Sequence, residues 1–401
     1  EFGRAMTVQR PRCEHTSRHQ VELVGRSGVI LPGATIGMVG GGQLGRMFAM
    51  AAASMGYRVV VFCESDHTPA AQVAHRRVVG KLDEAASVEA FASQCDVITL
   101  EFENIPAETI ALCGKYAATY PSASVLATAQ DRIREKTTLR DAGLPVTPMA
   151  PVHDSDALAA AAQELGWPLI VKTARSGYDG KGQSRVASMR DAEAIPWADC
   201  EAWIAEQCID FELEVSVVVA RTVDGRKEAF PVFENAHRNH ILDVSVAPAS
   251  IPKSVADEAV RVAFAATETL QVVGLLCVEF FVRDGQVMIN EVAPRPHNSG
   301  HLTIEGCQTS QFEQHVRAIC NLPLGSTSLR SGAAAMANLL GDLWQADGTA
   351  PSWDAALADP SVSLHLYGKQ TAKPGRKMGH LTVTGEDVES VRRRVLEARQ
   401  R

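Results

Sequence analysis

A glycine-rich turn between a short apolar strand and a helix is the feature that most restricts the fold of this chain. Residues 36–39 (IGMV) form a predicted buried strand, residues 40–45 (GGGQLG) a turn, and residues 46–55 a helix. Further strands are predicted at 58–62 and 96–100. This alternation favours an α/β layer with an open parallel sheet, in which ligands lie at the carboxyl ends of the strands.

The turn itself matches G-x-G-x-x-G, the fingerprint of dinucleotide-binding domains, and Glu64 follows Gly45 by 19 residues. Backbone amides at a helix N-terminus can approach any anion closely, so the pattern alone does not identify a ligand. Three interpretations are open at this point: a nicotinamide or flavin cofactor, another phosphate-bearing ligand, and a tight turn that binds nothing.

The pattern changes after residue 130. Helices are predicted at 131–142 and 155–165, and β-rich segments follow them. The strands are expected at 169–173, 203–207, 214–220, 228–232, 275–282 and 287–292. This α+β pattern predicts a disordered extension or cloning remnant at 1–34, an N-terminal domain at 35–130, a central domain at 131–325 and a C-terminal domain at 326–401.

Composition excludes several classes of protein. The net charge of −8 argues against a protein that binds nucleic acid by neutralising its phosphates. No apolar stretch approaches the roughly 20 residues that a membrane span needs. The nine cysteines are scattered without a C-x-x-C pair, which predicts free thiols in a reducing compartment. We therefore expect a cytoplasmic protein whose partners are neither nucleic acid nor membrane.

Lys172 ends a predicted strand, and the loop that follows contains Gly177, Gly180 and Gly182. Such a loop can fold its amides over phosphate oxygens. It is not a Walker A loop, because Lys181 is followed by glycine rather than serine or threonine. The segment therefore predicts a flap over a bound phosphate, and an exposed flexible hairpin is the alternative.

Glu279 and Glu291 flank a predicted hairpin that turns at 283–286. A two-residue turn would place the two glutamates on opposite faces, whereas a three-residue turn with Gly285 in a bulge would place them on one face. We predict the three-residue turn. Two carboxylates on one face repel each other unless a cation lies between them, which indicates Mg²⁺ with Asn290 alongside. Two solvated glutamates are the alternative.

Residues 292–301 follow the second glutamate and contain two prolines and a glycine, which predict a rigid loop rather than a helix. His297 and His301 are therefore not expected to form a helical zinc pair. The loop presents Arg295, His297 and Asn298, a set suited to a small planar anion beside a nucleotide phosphate. A capping role for Asn298 alone is also plausible.

A cluster of cations near the C-terminus stands out in an acidic chain. Lys369, Arg376 and Lys377 lie among glycines that allow close backbone approach. Together they could bind a phosphomonoester, although a solvated charged turn is the common explanation for such a cluster.

Together these motifs resemble the ATP-grasp superfamily and, within it, the N5-carboxyaminoimidazole ribonucleotide synthase family. The resemblance runs from about Ile36 to His380. The motifs that carry it are GGGQLGRM (40–47), EFENIP (101–106), DRIREK (131–136), GYDGKGQ (177–183), NEVAPRPHNSGH (290–301), SQFEQH (310–315), YGK (367–369) and PGRKMGH (374–380). Ser176 departs from it, since relatives commonly have glycine there.

The resemblance implies an ATP-grasp fold with an N-terminal Rossmann-like parallel-sheet domain and a small C-terminal domain. It implies a ligase that uses ATP and Mg²⁺, without biotin or NAD, to carboxylate 5-aminoimidazole ribonucleotide (AIR) with bicarbonate through carboxyphosphate. The expected partners are AIR, ATP, bicarbonate and a second copy of the chain. The alternatives are formate-dependent glycinamide ribonucleotide transformylase, a dehydrogenase, and a catalytically silent nucleotide-binding regulator.

The resemblance also assigns site residues. ATP contacts are implied for Arg132, Lys172, Gly177, Tyr178, Asp179, Gly180, Lys181, Gly182, Gln183, Glu206, Gln207, Cys208, Ile209, Glu214, His237, Asn290 and Glu291. Metal ligation is implied for Glu279 and Glu291, and catalysis for Arg295, His297, Asn298 and Lys369. AIR contacts are implied for Gln43, Leu44, Glu101 or Glu103, Tyr178, Asp179, Lys369, Arg376 and Lys377. The first glycine turn is thereby assigned to substrate rather than to NAD.

Overall fold

Three β-sheets organise the chain in the computed structural model, which describes residues 28–177 and 182–401. The predicted flap residues Tyr178, Asp179, Gly180 and Lys181, and most of the predicted extension, lie outside the described residues. None of the helices in the described ranges combines the length and apolarity that a bilayer crossing needs.

The first sheet is parallel, with strand order β3-β2-β1-β4-β5. Its elements are β1 (Thr35–Val39), α1 (Gln43–Ser54), β2 (Arg58–Cys63), β3 (Arg76–Val79), α2 (Ala85–Ala92), β4 (Val97–Leu100), α3 (Ala107–Cys113), β5 (Ala118–Thr119) and α4 (Ala123–Ala129). Strand β1 is buried along its whole length, because β2 and β4 pair with its two edges and helices cover both faces of the sheet. Helix α1 begins three residues earlier than predicted, since Gly42 already serves as its N-cap.

The second sheet is antiparallel, with strand order β6-β9-β7-β8. Its elements are α5 (Arg132–Asp141), β6 (Met149–Val152), α6 (Ser155–Leu165), β7 (Leu169–Thr173), β8 (Gln183–Val186), α7 (Met189–Ala192), a 3₁₀ turn (Trp197–Asp199) and β9 (Trp203–Gln207). Asp131 and Asp154 cap α5 and α6 by accepting a hydrogen bond from the backbone three residues on. These caps fix where both helices begin.

The third sheet is the largest and runs β15-β14-β10-β12-β13-β16-β18-β17, with β11 on β10. Its first part comprises β10 (Leu213–Arg221), β11 (Lys227–Ala229), β12 (Phe233–Arg238), β13 (Ile241–Ala247), α8 (Lys253–Thr269), β14 (Gly274–Arg283) and β15 (Gln286–Ala293). Its second part comprises a 3₁₀ helix (Asn298–Leu302), α9 (Thr303–Gly306), α10 (Gln311–Ile319), β16 (Ala333–Leu340), a 3₁₀ turn (Gly341–Leu343), α11 (Trp353–Ala356), β17 (Val362–Leu366), β18 (Lys377–Gly385) and α12 (Val388–Gln400). The sheet is continuous across residue 326, because β13 pairs with β16.

Apolar helix faces cover this sheet. Ala259 and Val262 of α8 pack on Val217 and Val278, and α12 packs on β16 and β18. Full burial of a valine side chain contributes roughly 1.5–3 kcal/mol. Helix packing on the apolar face of the sheet thus stabilises the strands that carry polar residues on the opposite face.

The last part of the predicted extension is packed. Ile30 is 8% exposed, and its N–H donates to the Cys320 carbonyl at 3.0 Å. The Tyr57 hydroxyl donates to the Ile30 carbonyl at 2.7 Å. The described chain therefore joins the first core before β1 begins.

Candidate active site

The hairpin that carries Glu279 and Glu291 turns differently from our prediction. Arg283 pairs directly with Gln286, which leaves Asp284 and Gly285 as a two-residue turn. Their φ angles are 50° and 72°, and a turn of this type requires both to be positive. The predicted three-residue turn was wrong.

A bulge within β15 brings the two glutamates into register. Phe280 pairs with Ile289, but Glu279 pairs with Glu291, so Asn290 is an extra residue in β15. Directly paired residues share a face of the sheet, and both glutamates therefore project to the same side. The Asn290 Oδ1 atom is buried and has no hydrogen-bond partner among the described residues.

The carboxylates here repel one another. Burial and the charge of Glu291 raise the pKa of Glu279 to about 7. Burial and the same Glu291 charge raise the pKa of Glu135 to about 8, and Glu135 accepts a hydrogen bond from the Val292 N–H. Opposed carboxylates and an orphaned amide oxygen are the donor set that Mg²⁺ prefers. Sequence reasoning missed Glu135, because it lies on α5, 144 residues before Glu279.

His297 is the N-cap of a 3₁₀ helix, where we predicted only a loop. The 3₁₀ helix is compatible with the prolines because both precede its first residue. The Nε2 atom of His297 lies 3.2 Å from Glu279 Oε1. Burial and the nearby Arg295 charge lower the pKa of His297 well below its usual value, so the imidazole is neutral. Cys277, Glu279 and His297 converge within 4.8 Å, but burial raises the thiol pKa of Cys277 and makes it a poor metal ligand.

Arg295 joins this hairpin to the N-terminal sheet. Its Nε atom lies 2.7 Å from Glu103 Oε1, and both side chains are about four-fifths buried. Both amide atoms of Asn298 are buried without a hydrogen-bond partner among the described residues. Buried amides are rarely left unpaired in proteins, which marks Asn298 as a place where a ligand would bind.

Glu101 fills the turn that resembled a dinucleotide site. Its carboxylate accepts hydrogen bonds from the N–H groups of Gly42 and Gly45, the latter at 2.9 Å. A Cβ atom on Gly40, whose φ is +110°, would lie 2.4 Å from the Glu101 side chain, so only glycine fits there. Burial raises the pKa of Glu101, while these amides and the charges of Lys369 and Arg295 oppose that rise.

Lys136, Lys172 and Glu206 form a buried ion triad. The Glu206 carboxylate accepts a hydrogen bond from Lys172 and forms an ion pair with Lys136, each at 2.7 Å. Lys136 is 1% exposed and Glu206 is 2% exposed. Glu206, which we predicted on the adenine-binding strand, therefore orients Lys172, which we predicted to contact ATP phosphates. Sequence reasoning missed Lys136 because it lies in a charged helix in which no local pattern distinguishes a buried lysine from an exposed one.

Arg132 organises the start of the predicted flap. Its guanidinium donates to the carbonyls of Thr173 and Gly177, at 3.0 and 2.6 Å. Ser176 between them has φ +67°, a left-handed conformation that is strained for serine. Gln183 ends the segment, and its amide lies 3.4 Å from His240. The Arg132 guanidinium, which we predicted to contact ATP phosphates, thus binds backbone carbonyl oxygens in this structure.

The other predicted nucleotide residues fall into two places. The Gln207 side chain donates to Leu165, and the Cys208 N–H donates to Pro168, so this stretch to Ile209 lies beside the second sheet. Glu214 and His237 face each other on neighbouring strands at 2.5 Å. Burial lowers the pKa of His237, but the hydrogen bond to Glu214 and the charges of Glu214 and Glu279 together raise the pKa overall.

The predicted AIR residues approach from two sides. Gln43 and Leu44 are half-buried in the first turn of α1. Lys369 donates to the Lys377 carbonyl at 2.6 Å, and its charge also acts on Glu101. The positive charge of Lys377 helps to lower the pKa of His297. Arg376 instead donates to Thr371 at 2.7 Å, so its guanidinium is engaged away from the two lysines.

Three family models match successive parts of the chain. They describe the ribonucleotide synthetase preATP-grasp domain (residues 33–130), the ATP-grasp domain (137–312) and the phosphoribosylaminoimidazole carboxylase C-terminal domain (334–394). The chain is 42% identical over 360 residues to the N5-carboxyaminoimidazole ribonucleotide synthase of Brucella melitensis, covering 88% of this chain and 96% of that relative. The chain belongs to the N5-carboxyaminoimidazole ribonucleotide synthase family. The predicted family and fold are thereby confirmed.

Other members of this synthase family agree with the assignment. An N5-carboxyaminoimidazole ribonucleotide synthetase solved with ADP matches with TM-score 0.86 and 41% identity, covering 92% of this chain and 97% of that one. The Aspergillus clavatus enzyme, solved with ADP and AIR, matches with TM-score 0.83 and 32% identity, covering 92% and 98%. A bifunctional purine synthesis protein of Dictyostelium discoideum is 40% identical over 88% of this chain, which spans 37% of its length.

Proposed function

We propose that this chain carboxylates AIR with bicarbonate at the expense of ATP, giving N5-carboxyaminoimidazole ribonucleotide, ADP and phosphate in purine biosynthesis. One structural relationship carries the proposal. Arg295 pairs with Glu103 beside the first glycine turn, while His297, two residues on, faces Glu279. The anion-binding segment therefore bridges the proposed substrate turn and the proposed metal carboxylates, as a reaction between bicarbonate, ATP and AIR requires.

The chemistry proceeds in two steps. A bicarbonate oxygen attacks the γ-phosphorus of ATP, and ADP leaves, giving carboxyphosphate. Carboxyphosphate then releases phosphate as its CO₂ joins the exocyclic amine of AIR, which loses a proton. Arg295 and the unpaired Asn298 amide would orient the planar anion, and Lys369 would stabilise the transferred group. Carboxyphosphate hydrolyses readily, so exclusion of water is part of the task.

Mg²⁺ fits Glu279 and Glu291, with Asn290 beside them. When bound, it would neutralise charge on the ATP phosphates. The residues of this chain that would hold ATP itself are those of the Glu206 triad, the 177–183 flap, the 206–209 segment and the Glu214–His237 pair. Biotin and NAD have no place in this proposal.

Binding of AIR would use the first turn of α1 and the C-terminal cations. We assign this role to Gln43 and Leu44 on α1 and to Lys369, Arg376 and Lys377. The Arg376 side chain would leave Thr371 to reach the substrate phosphate. We also propose a cytoplasmic homodimer, on the basis of family membership.

The decisive experiment measures ADP release with Mg²⁺ and ATP while AIR and bicarbonate are each supplied or omitted. Release that requires both substrates, with one carboxylated product per ADP, supports the proposal. Glycinamide ribonucleotide plus formate forms the rival pair. Turnover with that pair alone would replace AIR as the acceptor substrate while keeping the ATP-grasp mechanism. Without ADP release from either pair, the chain acts as a nucleotide-binding regulator.

The metal assignment has its own test. Glu291→Gln keeps the shape of the side chain but removes a charge from the proposed Mg²⁺ site, so turnover should be abolished. Undiminished ADP release by this variant would reject Glu291 as a metal ligand. Glu258→Gln, at a partly exposed acid of α8 that pairs with Arg261, serves as the matched control.

A further inference from the structure

A line of buried polar side chains crosses the large sheet beneath His297. Ser216, Asn235 and Ser245 lie on the adjacent strands β10, β12 and β13, and Ser299 lies above them on the 3₁₀ helix. Asn235 pairs in register with Ser245, and Ser216 pairs with Glu279. The three serines are fully buried and Asn235 is 6% exposed. Burial of such groups is costly unless each finds a hydrogen-bond partner.

These side chains form one unbroken hydrogen-bonded series. Ser245 Oγ lies 2.6 Å from Asn235 Oδ1, and Asn235 Nδ2 lies 2.9 Å from Ser216 Oγ. Ser216 Oγ lies 2.9 Å from Ser299 Oγ, which lies 2.8 Å from His297 Nδ1. The series therefore ends on the imidazole that faces Glu279.

The direction of every bond follows from one fixed donor. The backbone N–H of Ser299 can only donate, and it points at His297 Nδ1 at 3.3 Å, so Nδ1 is an acceptor. The Ser299 hydroxyl then donates to Nδ1, and its oxygen accepts from Ser216 and also contacts the Cys277 thiol. The Ser216 hydrogen is thereby used, so Asn235 must donate through Nδ2 and accept from Ser245 through Oδ1.

We propose that Ser299, Ser216 and Asn235 are positioning residues that hold His297 in the tautomer with its hydrogen on Nε2, the nitrogen that lies 3.2 Å from Glu279 Oε1. His297 Nε2 is the ring nitrogen nearest Glu279. Carboxylates that ligate a metal are commonly oriented by a neighbouring N–H group, and His297 would supply that group to Glu279. The inference deepens the proposed function, because it names what fixes the orientation of a group at the carboxylation site.

The wild-type protein gives the first test. Neutron diffraction from perdeuterated crystals should show deuterium on His297 Nε2 and not on Nδ1, with the Ser216 hydroxyl directed at Ser299. Deuterium on Nδ1 would overturn the proposal without any substitution. This readout does not depend on the reaction, so a failure of AIR carboxylation and a failure of the tautomer assignment are separate results.

Asn235→Asp reverses the series, because a carboxylate accepts where the amide donated. Ser216 and Ser299 should then turn their hydroxyl hydrogens towards the introduced carboxylate, in opposition to the fixed Ser299 N–H, so that part of the His297 population carries hydrogen on Nδ1. The two ¹⁵N shifts of His297 should then move towards one another in histidine-labelled protein. We expect kcat to fall about 10- to 100-fold while the KM for AIR stays unchanged. Unchanged ¹⁵N shifts in a folded variant would reject the proposal.

Ser245→Ala is the matched control. It also removes a buried hydroxyl from the hydrogen-bonded series, but Asn235 still donates to Ser216. The tautomer of His297 and kcat should therefore stay as in wild type. If Asn235→Asp does not fold, Ser216→Ala interrupts the series and should give His297 shifts intermediate between the two tautomers. Wild-type shifts in Ser216→Ala would count against the series as the determinant.

Discussion

The Glu101 carboxylate occupies the N-terminus of the helix that begins at Gln43, in the position where a dinucleotide fold holds a pyrophosphate. It accepts N–H groups from Gly42 and Gly45, and three glycines make room for it. A motif that commonly binds a cofactor thus binds a side chain of its own protein. The anion that the helix dipole favours is supplied internally.

We expect no dinucleotide to compete for this position. Titration with NADH or NADPH, followed by nicotinamide fluorescence, should give no saturable signal, because Glu101 is already hydrogen-bonded to the amides that a pyrophosphate would need. Saturable binding that weakens the Glu101 contacts would restore the dehydrogenase hypothesis.

Glu101→Gln should lower the free energy of unfolding by about 1–3 kcal/mol. The amide offers one acceptor oxygen and an NH₂ group, and the NH₂ group would face a buried backbone N–H. Urea denaturation of the apo protein measures the change. Glu108→Gln, an exposed acid in the first turn of α3, should change stability by less than about 0.5 kcal/mol.

Glu206→Gln should cost about 3–5 kcal/mol, because it leaves Lys136 buried with its charge uncompensated. Burial alone would raise the pKa of Glu206, but Lys136 and Lys172 lower it to about 2. A depressed pKa adds stability above the unfolded value near 4.3, and this is lost as pH falls toward 2. The variant should therefore lose less stability than wild type between pH 5 and pH 3.

The control for Glu206 is an exposed pair of the same charge type. Lys253 and Asp257 lie 2.7 Å apart on the surface of α8. Asp257→Asn should change stability by less than about 1 kcal/mol, since solvent screens such pairs. Equal losses in the two variants would contradict the role of burial.

Glu135→Gln should change how stability depends on pH. Burial and Glu291 raise the pKa of Glu135 to about 8, so the folded state retains a proton that the unfolded state releases near pH 4.3. The stability that this proton contributes is lost as pH rises through 8. Urea unfolding of the apo protein should show wild type weakening between pH 5 and 8 relative to the variant. Parallel curves would show that Glu135 is ionised throughout.

Ser176→Gly should stabilise the entrance to the flap. The left-handed φ of Ser176 costs about 1–2 kcal/mol for a residue with a Cβ atom, and glycine removes most of that cost while adding entropy to the unfolded chain. We expect a net gain of about 0.5 kcal/mol in unfolding free energy. Ser176→Ala keeps the strain and should give no gain, so equal effects of the two substitutions would reject the explanation.

Local patterns placed most of the predicted strands, but the prediction at 228–232 was wrong beyond Ala229, where β11 ends. The sequence analysis also did not predict β12, β13, β17 and β18, whose pairing is set by distant partners. The segments Ser155–Leu165 and Trp203–Gln207 match their predictions residue for residue. The hairpin turn was wrong because the bulge at Asn290 has no strong local signature. Glu101 and Glu103 could not be separated from sequence, since their partners are Gly42 and Gly45 in one case and Arg295 in the other.

The two missed charged residues show the same limit. Glu135 and Lys136 sit in a polar stretch that is typical of a solvated helix, and their partners lie 70 or more residues further along the chain. Only the fold reveals that both are nearly inaccessible to solvent. The assignments of nucleotide, AIR and catalytic residues remain predictions.

The pairing of β13 with β16 makes the C-terminal segment part of the central sheet. A chain cut after residue 325 would expose the edge of β13, with a row of backbone groups that no other strand covers. Such an edge recruits further strands, so the shortened protein would tend to self-associate in a cell rather than survive as a smaller enzyme.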